Sequence, residues 1–385
     1  MKKSRKGIKR IGIDARFYGS LGKGLGRYTQ EVVDNVVALD QENEYVIFLS
    51  RENFEEFKSE SKRVKKVLAP IKWYTLSEQM LFPFYIWREH LDLMHFPHFN
   101  VPLLAPVKFI VTIHDLILIK YPTLRATTLN PFFYKIKNLA YGVVIRMAVR
   151  RAKKIIAVSN FTKNDILENF SLKAEKVEVI YEGVAQFNQR FGDNDEADTK
   201  ELLSYNINKK FLLYVGNAYP HKNLEGLIKV FSSVYKKNPD LSLVLVGKED
   251  YFYKRLKEIA KINWPDVSPI LFLGYVSDKN LKILYKKALA YIFPSFYEGF
   301  GLPPIEAMAH GCPVVSSNTS SMPEVLGEAA LYFEPDNEIE MQKKIEEIME
   351  SEDLRRDLIG KGLKQAGQYD WKVCAKKTLA IYRAV

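Results

Sequence analysis

Two cysteines, Cys312 and Cys374, are too few for a disulfide framework and lack the spacing of a zinc site, and both fit a reduced cytosol. No run of 18 apolar residues occurs, which excludes an ordinary membrane-spanning helix. The Lys/Arg-rich start is not followed by a secretory apolar stretch, because Lys9-Arg-Ile-Gly-Ile-Asp14 already reads as a core strand. Gly19-Ser-Leu-Gly-Lys-Gly-Leu-Gly-Arg-Tyr28 is glycine-rich but lacks the dinucleotide fingerprint spacing and lies well past the strand, so a hydride-transfer enzyme loses its best support. Acid is also missing locally. From Leu116 to Asn164 there is no Asp or Glu, while Lys120, Arg125, Lys135, Lys137, Arg146, Arg150, Arg151, Lys153, Lys154 and Lys163 all fall there. The net charge of +11 is thus concentrated, and calls for an anionic partner.

What is present is alternation. Strands are expected at Arg10 to Asp14, Tyr45 to Leu49, Leu93 to Phe96, Phe109 to Ile113, Lys154 to Val158 and Val177 to Ile180, with helices such as Tyr28 to Leu39 and Asn160 to Asn169 between some of them. A polar stretch without clear period, Gly183 to Lys210, reads as a linker. Beyond it strands restart at Phe211 to Val215, Leu243 to Val246, Ile270 to Leu273, Ala290 to Phe293, Pro313 to Ser316 and Ala330 to Phe333. Helices are expected at Leu224 to Tyr235, Phe252 to Ile262 and Asp278 to Ala288. At 385 residues the chain exceeds twice a usual domain, so the expectation is α/β: two Rossmann-like, doubly wound domains facing a central cleft.

The most informative stretch is Phe293-Pro-Ser-Phe-Tyr-Glu-Gly-Phe-Gly-Leu-Pro-Pro-Ile-Glu-Ala-Met-Ala-His-Gly-Cys-Pro-Val-Val315. Gly299 and Gly301 let the backbone approach a ligand, and Pro303 and Pro304 suit a first helical turn, so the amides of Gly299 to Leu302 should lie at a helix N-terminus that attracts phosphate. Glu298 and Glu306 flank this cradle with seven residues between them. Carboxylates repel phosphate, so each is best used to accept from sugar hydroxyls on either side of it, which points to a nucleotide-sugar. The plainer alternative is that Glu306 complements the positive end of its helix while Glu298 is a solvated loop residue.

Glu298-x7-Glu306 in this setting, followed by Ser320-Ser-Met-Pro-Glu-Val-Leu-Gly327, resembles the E-x7-E signature of the retaining glycosyltransferases of family 4, which have the GT-B fold. The resemblance implies an acceptor-binding domain over residues 1–184, a linker over 185–208, a donor-binding domain over 209–368, and a final helix over 369–385 that returns to the first domain. It implies His114, Lys222 and Glu298 as the catalytic residues. His114, in Thr112-Ile-His-Asp-Leu116, matches the histidine that touches the transferred sugar, with Asp115 orienting the loop; on residues alone this His-Asp pair reads first as a satisfied polar turn, and the resemblance reverses that. Gly24, Leu25 and Gly26 match the glycine loop near the donor phosphates. In Tyr214-Val-Gly-Asn-Ala-Tyr-Pro-His-Lys-Asn-Leu224, Gly216, Asn217 and Lys222 fall on the phosphate-contacting segment, Lys222 stabilising the charge on the departing phosphate. Many members have arginine where this chain has Asn217; Arg27 or backbone amides are the substitutes on offer. Tyr275 and Val276, within Leu273-Gly-Tyr-Val-Ser277, match the segment framing the base. Glu298 with Gly299, Phe300, Gly301 and Leu302 would hold the sugar, and Glu306 the ribose.

The implied reaction moves a hexose from a nucleoside-diphosphate sugar to a hydroxyl of a glycan or lipid-linked acceptor by front-face substitution, without metal or cofactor. The wording of Tyr214 to Asn223 and Ser295 to Ala307 resembles bacterial mannosyltransferases of polysaccharide assembly, making GDP-mannose the first donor, with UDP-glucose or a related donor open. His95 and His98, in His-Phe-Pro-His, invite a zinc reading, but Pro97 breaks helical spacing and no Cys/His pair supports them, so packing or acceptor lining is expected. Asp193-Asn-Asp195 has no preceding apolar strand and reads as solvated loop.

Two rival classes are a non-catalytic scaffold of the same fold and a nucleic-acid binder. The first is opposed by the presence of Glu298, Glu306, Lys222 and His114. The second would want aromatics exposed beside its cations, whereas Phe132, Phe133 and Tyr134 look like an apolar helix face, so no nucleic-acid partner is expected. If Asn130 to Lys154 is helical, Phe132, Ile136, Leu139, Val143 and Met147 form one stripe with Lys135, Arg146, Arg150 and Lys153 on another face. Such a helix suits an anionic membrane surface on the cytoplasmic side, and equally suits packing against the first sheet.

Overall fold

The computed structural model describes residues 7–19, 23–121, 131–184 and 195–385. Two compact units divide the chain: one runs to Gly183 and includes Asp370–Val385, and the other is Val184–Tyr369.

The first unit contains β1 (Arg10–Asp14), α1 (Lys23–Leu39), β2 (Glu44–Leu49), β3 (Val64–Leu68), α2 (Leu76–Arg88), β4 (Leu93–Phe96), β5 (Phe109–Ile113), α3 (Ile117–Lys120), α4 (Pro131–Arg151), β6 (Lys154–Ala157), α5 (Asn160–Phe170) and β7 (Val177–Val179). The strands pair in parallel in the order β3-β2-β1-β4-β5-β6-β7. β4 and β5 are buried at every residue, as parallel strands covered on both faces must be, and this is why they read as continuous apolar runs. The order reverses between β1 and β4, and there the loops leaving the carboxyl ends diverge to make room for a ligand.

The second unit contains α6 (Asp195–Ser204), β8 (Lys210–Val215), α7 (Leu224–Lys237), β9 (Leu241–Val246), α8 (Tyr251–Asn263), β10 (Ile270–Gly274), α9 (Asp278–Lys287), β11 (Ala290–Phe293), α10 (Leu302–Ala309), β12 (Val314–Ser317), α11 (Met322–Leu326), β13 (Ala330–Phe333), α12 (Glu338–Glu350) and α13 (Glu352–Ala366). Its parallel sheet has the order β10-β9-β8-β11-β12-β13, with the reversal between β8 and β11. The last helix, α14 (Trp371–Ala384), belongs to the first unit, where it packs on α1 and Tyr382 bonds His95.

Every expected strand forms, with ends displaced by at most two residues. β3 and α2 form where no element was expected, and three expected stretches differ in detail. The stretch read as linker contains α6, whose Asp198 meets Lys286 and whose Glu201 accepts from Asn280 on α9; residues 185–194, and with them most of Asp193-Asn-Asp195, lie outside the described residues. α1 starts at Lys23, so Gly24, Leu25 and Gly26 form its first turn instead of a preceding loop.

In α4 the sheet-facing residues are Ile145, Ala148 and Val149, with Tyr141 partly buried beside them. Ile136, Leu139, Val143 and Met147 lie about half a turn away at 100° per residue and are exposed, Leu139 by 70%. The stripe read from the sequence is therefore the outer one; the side chain of Phe132 lies outside the described residues.

Candidate active site

In the second unit, β8 and β11 are neighbours at the sheet's reversal, and both carry the chain directly into functional loops. Pro220–Lys222 makes one 3-10 turn and Asn223 takes a left-handed conformation (φ 55°), turning the chain into α7 and aiming Lys222 back at the β11 loop. Lys222 Nζ lies 2.5 Å from Glu298 Oε1, and the ammonium also sits 5.5 Å from the centroid of the Phe293 ring. Both side chains are largely buried, at 13% and 10% exposure, so each charge is compensated chiefly by the other.

The Glu298 turn is clamped on two sides. The Phe296 amide donates to the His221 carbonyl at 2.8 Å, and burial followed by the neighbouring Lys222 lowers the His221 pKa to about 4, leaving that imidazole neutral. From the other side, the Glu298 amide donates to Ser320 Oγ at 2.9 Å while Ser321 Oγ donates to the Glu298 carbonyl at 3.1 Å. Thr319 and Ser317 hydroxyls donate to the Phe296 and Ser295 carbonyls. Ser320 and Ser321 stood in the sequence motif without a role; their service as a clamp could be guessed only from a short run of hydroxyls after a strand.

Gly301 precedes α10 with φ 89°, a region favouring glycine, and it makes no side-chain cap. An added Cβ there would lie 2.4 Å from the Met322 methyl. Backbone amides thus form the positive N-terminal end of α10 next to Lys222 and Glu298, the arrangement that favours an anion. Phe300 contributes backbone to this turn while its buried ring packs edge-on against Tyr369 at 5.3 Å. Glu306 follows in the next turn of α10, half-buried.

Gly216 joins this edge through its amide, which donates to the Val246 carbonyl at 2.9 Å, and through its carbonyl, which accepts from Tyr253 at 2.8 Å. Asn217 is committed locally: its Oδ1 accepts from the Tyr219 amide and its carbonyl from Tyr214. Tyr275 and Val276 follow β10, two strands from β8 along the same edge; Tyr275 is exposed and Val276 buried.

In the first unit, His114 ends β5 with both ring nitrogens engaged. Nδ1 is 2.9 Å from Glu182 Oε1, and Nε2 is 2.9 Å from the Pro97 carbonyl, which can only accept. Burial pushes the His114 pKa down, but Glu182 and the Pro97 carbonyl outweigh it and the net direction is up, towards imidazolium. Tyr28 stands edge-on to the ring at 4.6 Å. Asp115 Oδ1 accepts from the Ile117 amide and shapes the turn. Glu182 was not foreseen, because an isolated acid in a loop after a short strand carries no sequence signal.

His95 is a packing residue. Tyr382 and Thr112 hydroxyls occupy its two nitrogens at 2.7 and 2.9 Å, and burial, with His114 as the next cause, lowers its pKa to about 3. Gly26 in α1 is required by close approach, since a Cβ would lie 2.1 Å from the Gly19 carbonyl, whereas Gly24 faces open space. Among the described residues no group of three or more His, Cys, Asp and Glu is placed to hold a metal ion.

The sequence matches the family description Glycosyltransferase Family 4 over residues 22–185 and Glycosyl transferases group 1 over residues 196–365. It is 32% identical over 287 residues to the O-antigen chain mannosyltransferase RfbU of Salmonella typhimurium, covering 73% of this chain and 71% of that one. The chain belongs to glycosyltransferase family 4. The enzyme is also 27% identical over 380 residues to the O-antigen chain mannosyltransferase B of Escherichia coli, spanning 94% and 96% of the two chains. Its fold matches sucrose-phosphate synthase of Thermosynechococcus elongatus with a TM-score of 0.76 at 18% identity, covering 98% of each chain. The glycosyltransferase therefore has the GT-B fold expected from its sequence.

Proposed function

We propose that the enzyme transfers mannose from GDP-mannose, with retention of anomeric configuration and without a metal ion, to a hydroxyl of a glycan or lipid-linked acceptor. UDP-glucose or another hexosyl donor is the alternative. The observation that carries this reading is the Lys222–Glu298 pair at the N-terminal end of α10. Cation, helix amides and carboxylate together suit a diphosphate joined to a hydroxyl-rich sugar: the first two take the phosphates and Glu298 accepts from the sugar. Mannose is preferred because relatives spanning most of the chain are named mannosyltransferases.

In the proposed mechanism Lys222 and the Gly299 to Leu302 amides stabilise the negative charge that grows on the departing phosphate. That phosphate's oxygen takes the acceptor proton on the face it leaves, so the new bond forms on the same side. Glu298 steadies the positively charged sugar, Glu306 accepts from the ribose, and Tyr275 and Val276 frame the base through backbone groups. His114 is a positioning residue of the first unit, its two ring nitrogens held by Glu182 and the Pro97 carbonyl.

The proposed place of work is the cytoplasmic surface of an anionic membrane. Supporting this, α4 turns Ile136, Leu139, Val143 and Met147 outward, with exposed Lys135, Arg146 and Arg150 beside them. α2 exposes Leu76, Met80, Phe84 and Trp87. Among the described residues no helix is long and apolar enough to cross a membrane.

The reading is tested by a panel of nucleoside-diphosphate sugars. GDP-mannose should raise the unfolding temperature most and be hydrolysed slowly to α-mannose before mutarotation, as seen by NMR. Release of β-mannose, or protection by no nucleoside-diphosphate sugar, would reject it.

A further inference from the structure

Beside the His114–Glu182 pair, the first unit carries aromatic rings to which the proposed chemistry assigns no task. The His98 ring lies 6.5 Å from that of His114, at 27° to it. Tyr74 continues the row: its ring is 5.9 Å from His98, and its hydroxyl is 3.4 Å from both His98 nitrogens. Phe17 underlies the row at 5.6 Å from His98 and 6.4 Å from Tyr74, and meets Trp73 at 4.3 Å. The rings form a continuous shelf leading away from His114.

Tyr74 is held there against its own preference. Its φ is 62°, a left-handed conformation in which a side-chain-bearing residue is strained. The conformation is enforced from below: the Tyr74 amide donates to Glu78 Oε2 at 2.7 Å, and the same oxygen accepts from Asn100 at 2.6 Å. The other Glu78 oxygen accepts from Arg16 at 2.6 Å, and Arg16 is paired with Asp14 in turn. Arg16 and Glu78 have no exposed side-chain surface. A fully buried ion network thus fixes a strained backbone, and the residue it presents, Tyr74, is 53% exposed. Strain maintained in this way, at the carboxyl edge of a parallel sheet, marks a functional position.

We propose that Tyr74, Trp73 and His98 form the subsite for a sugar ring of the acceptor. A pyranose shows a face of C–H bonds, which stacks on an aromatic ring, and a rim of hydroxyls, which needs donors and acceptors nearby. Tyr74 and Trp73 supply the first. His98 supplies the second: burial, and then the neighbouring His114, hold its pKa well below the usual value, and because Nδ1 of the neutral ring accepts from the Asn100 amide at 3.4 Å, Nε2–H is the donor it offers. The polar rim favours the saccharide part of the acceptor over an alkyl chain. The inference rests on the proposed transfer to a glycan and names the groups that select it.

The test uses the full chain and Tyr74→Gly. Glycine adopts positive φ without steric cost, so the variant keeps the backbone while removing the ring. The probes are the methyl α-glycosides of mannose, galactose and N-acetylglucosamine, followed by saturation-transfer NMR. At least one should show transfer to its ring C–H protons in the wild type and in Tyr74→Phe. In Tyr74→Gly its affinity should fall at least about tenfold, the loss of one aromatic contact, with the unfolding temperature unchanged or higher. Unchanged glycoside binding in Tyr74→Gly, or no transfer from the wild type to any glycoside, overturns the subsite. GDP-mannose protection measured on the same samples keeps the two readings apart: its loss in wild type refutes the donor assignment, and its persistence alongside unaltered glycoside binding in Tyr74→Gly refutes the shelf alone.

Discussion

Lys222 and Glu298, 76 residues apart in the chain, meet as a buried ion pair because β8 and β11 are adjacent strands and each delivers its loop to the same end of the sheet. The pair makes the two charges interdependent: removing the ammonium leaves a buried carboxylate, and also removes the cation proposed to meet the leaving phosphate. Lys222→Ala should therefore lose about 3 kcal/mol of transition-state stabilisation, roughly a hundredfold in turnover. Steady-state kinetics with GDP-mannose check this, and near-native turnover would contradict it.

The Glu182–His114 contact has a pH signature. His114 has a raised pKa in the folded chain, so its contribution to stability is complete below the ordinary histidine value of about 6.5 and is lost as pH rises through the higher folded value. In Glu182→Gln the carboxylate is gone while burial still disfavours the charged ring. The variant should lie furthest below wild type in thermal midpoint under pH 6.5, by this linkage, and converge on it at alkaline pH. A gap that is constant with pH would contradict the assignment.

Gly301→Ala tests the turn before α10. At φ 89° a methyl-bearing residue is strained by about 1–2 kcal/mol, and the new methyl must also displace the end of Met322. A lowered midpoint in urea with an unchanged slope is expected, together with weaker nucleotide binding. An alanine variant as stable as wild type would show that the turn does not need glycine.

Membrane association should depend on the positive charge of α4. Lys135, Arg146 and Arg150 are exposed and suited to charge reversal, whereas Arg151 donates to the Leu103 and Ala105 carbonyls and would disturb that loop. Each cation near an anionic surface contributes roughly 1 kcal/mol. The triple reversal should abolish co-sedimentation with anionic liposomes, and wild-type binding should fade as salt rises. Equal binding to neutral vesicles would reject the electrostatic account.

Most of the fold was legible because buried parallel strands such as Ile110-Val-Thr-Ile113 announce themselves as apolar runs. What escaped notice did so for local reasons. β3, an edge strand, sets two adjacent lysines among three apolar residues, which breaks any alternation, and it buries little. α2 contains Pro83, which removes a helix hydrogen bond and interrupts the pattern, yet the Thr75 cap and the burial of Phe82 and Ile86 sustain it. α4 is apolar on two opposite faces, and periodicity cannot say which one meets the sheet. In the site, Lys222, Glu298 and the glycine turn were readable from their motifs. Their mutual contact, the Ser320–Ser321 clamp and Glu182 depend on which loops become neighbours, which only strand order decides.

The central claim, a GDP-mannose site built on the amino end of α10, is tested most directly by titration calorimetry of GDP-mannose and UDP-glucose into wild type and Glu306→Ala. Glu306 lies one turn inside α10 and is proposed to accept from the ribose. The account predicts saturable, preferential binding of GDP-mannose to wild type and a loss of about 1.5–3 kcal/mol in Glu306→Ala, the range for a hydrogen bond to a charged group, with the thermal midpoint unchanged. Undiminished GDP-mannose affinity in the folded variant would contradict it.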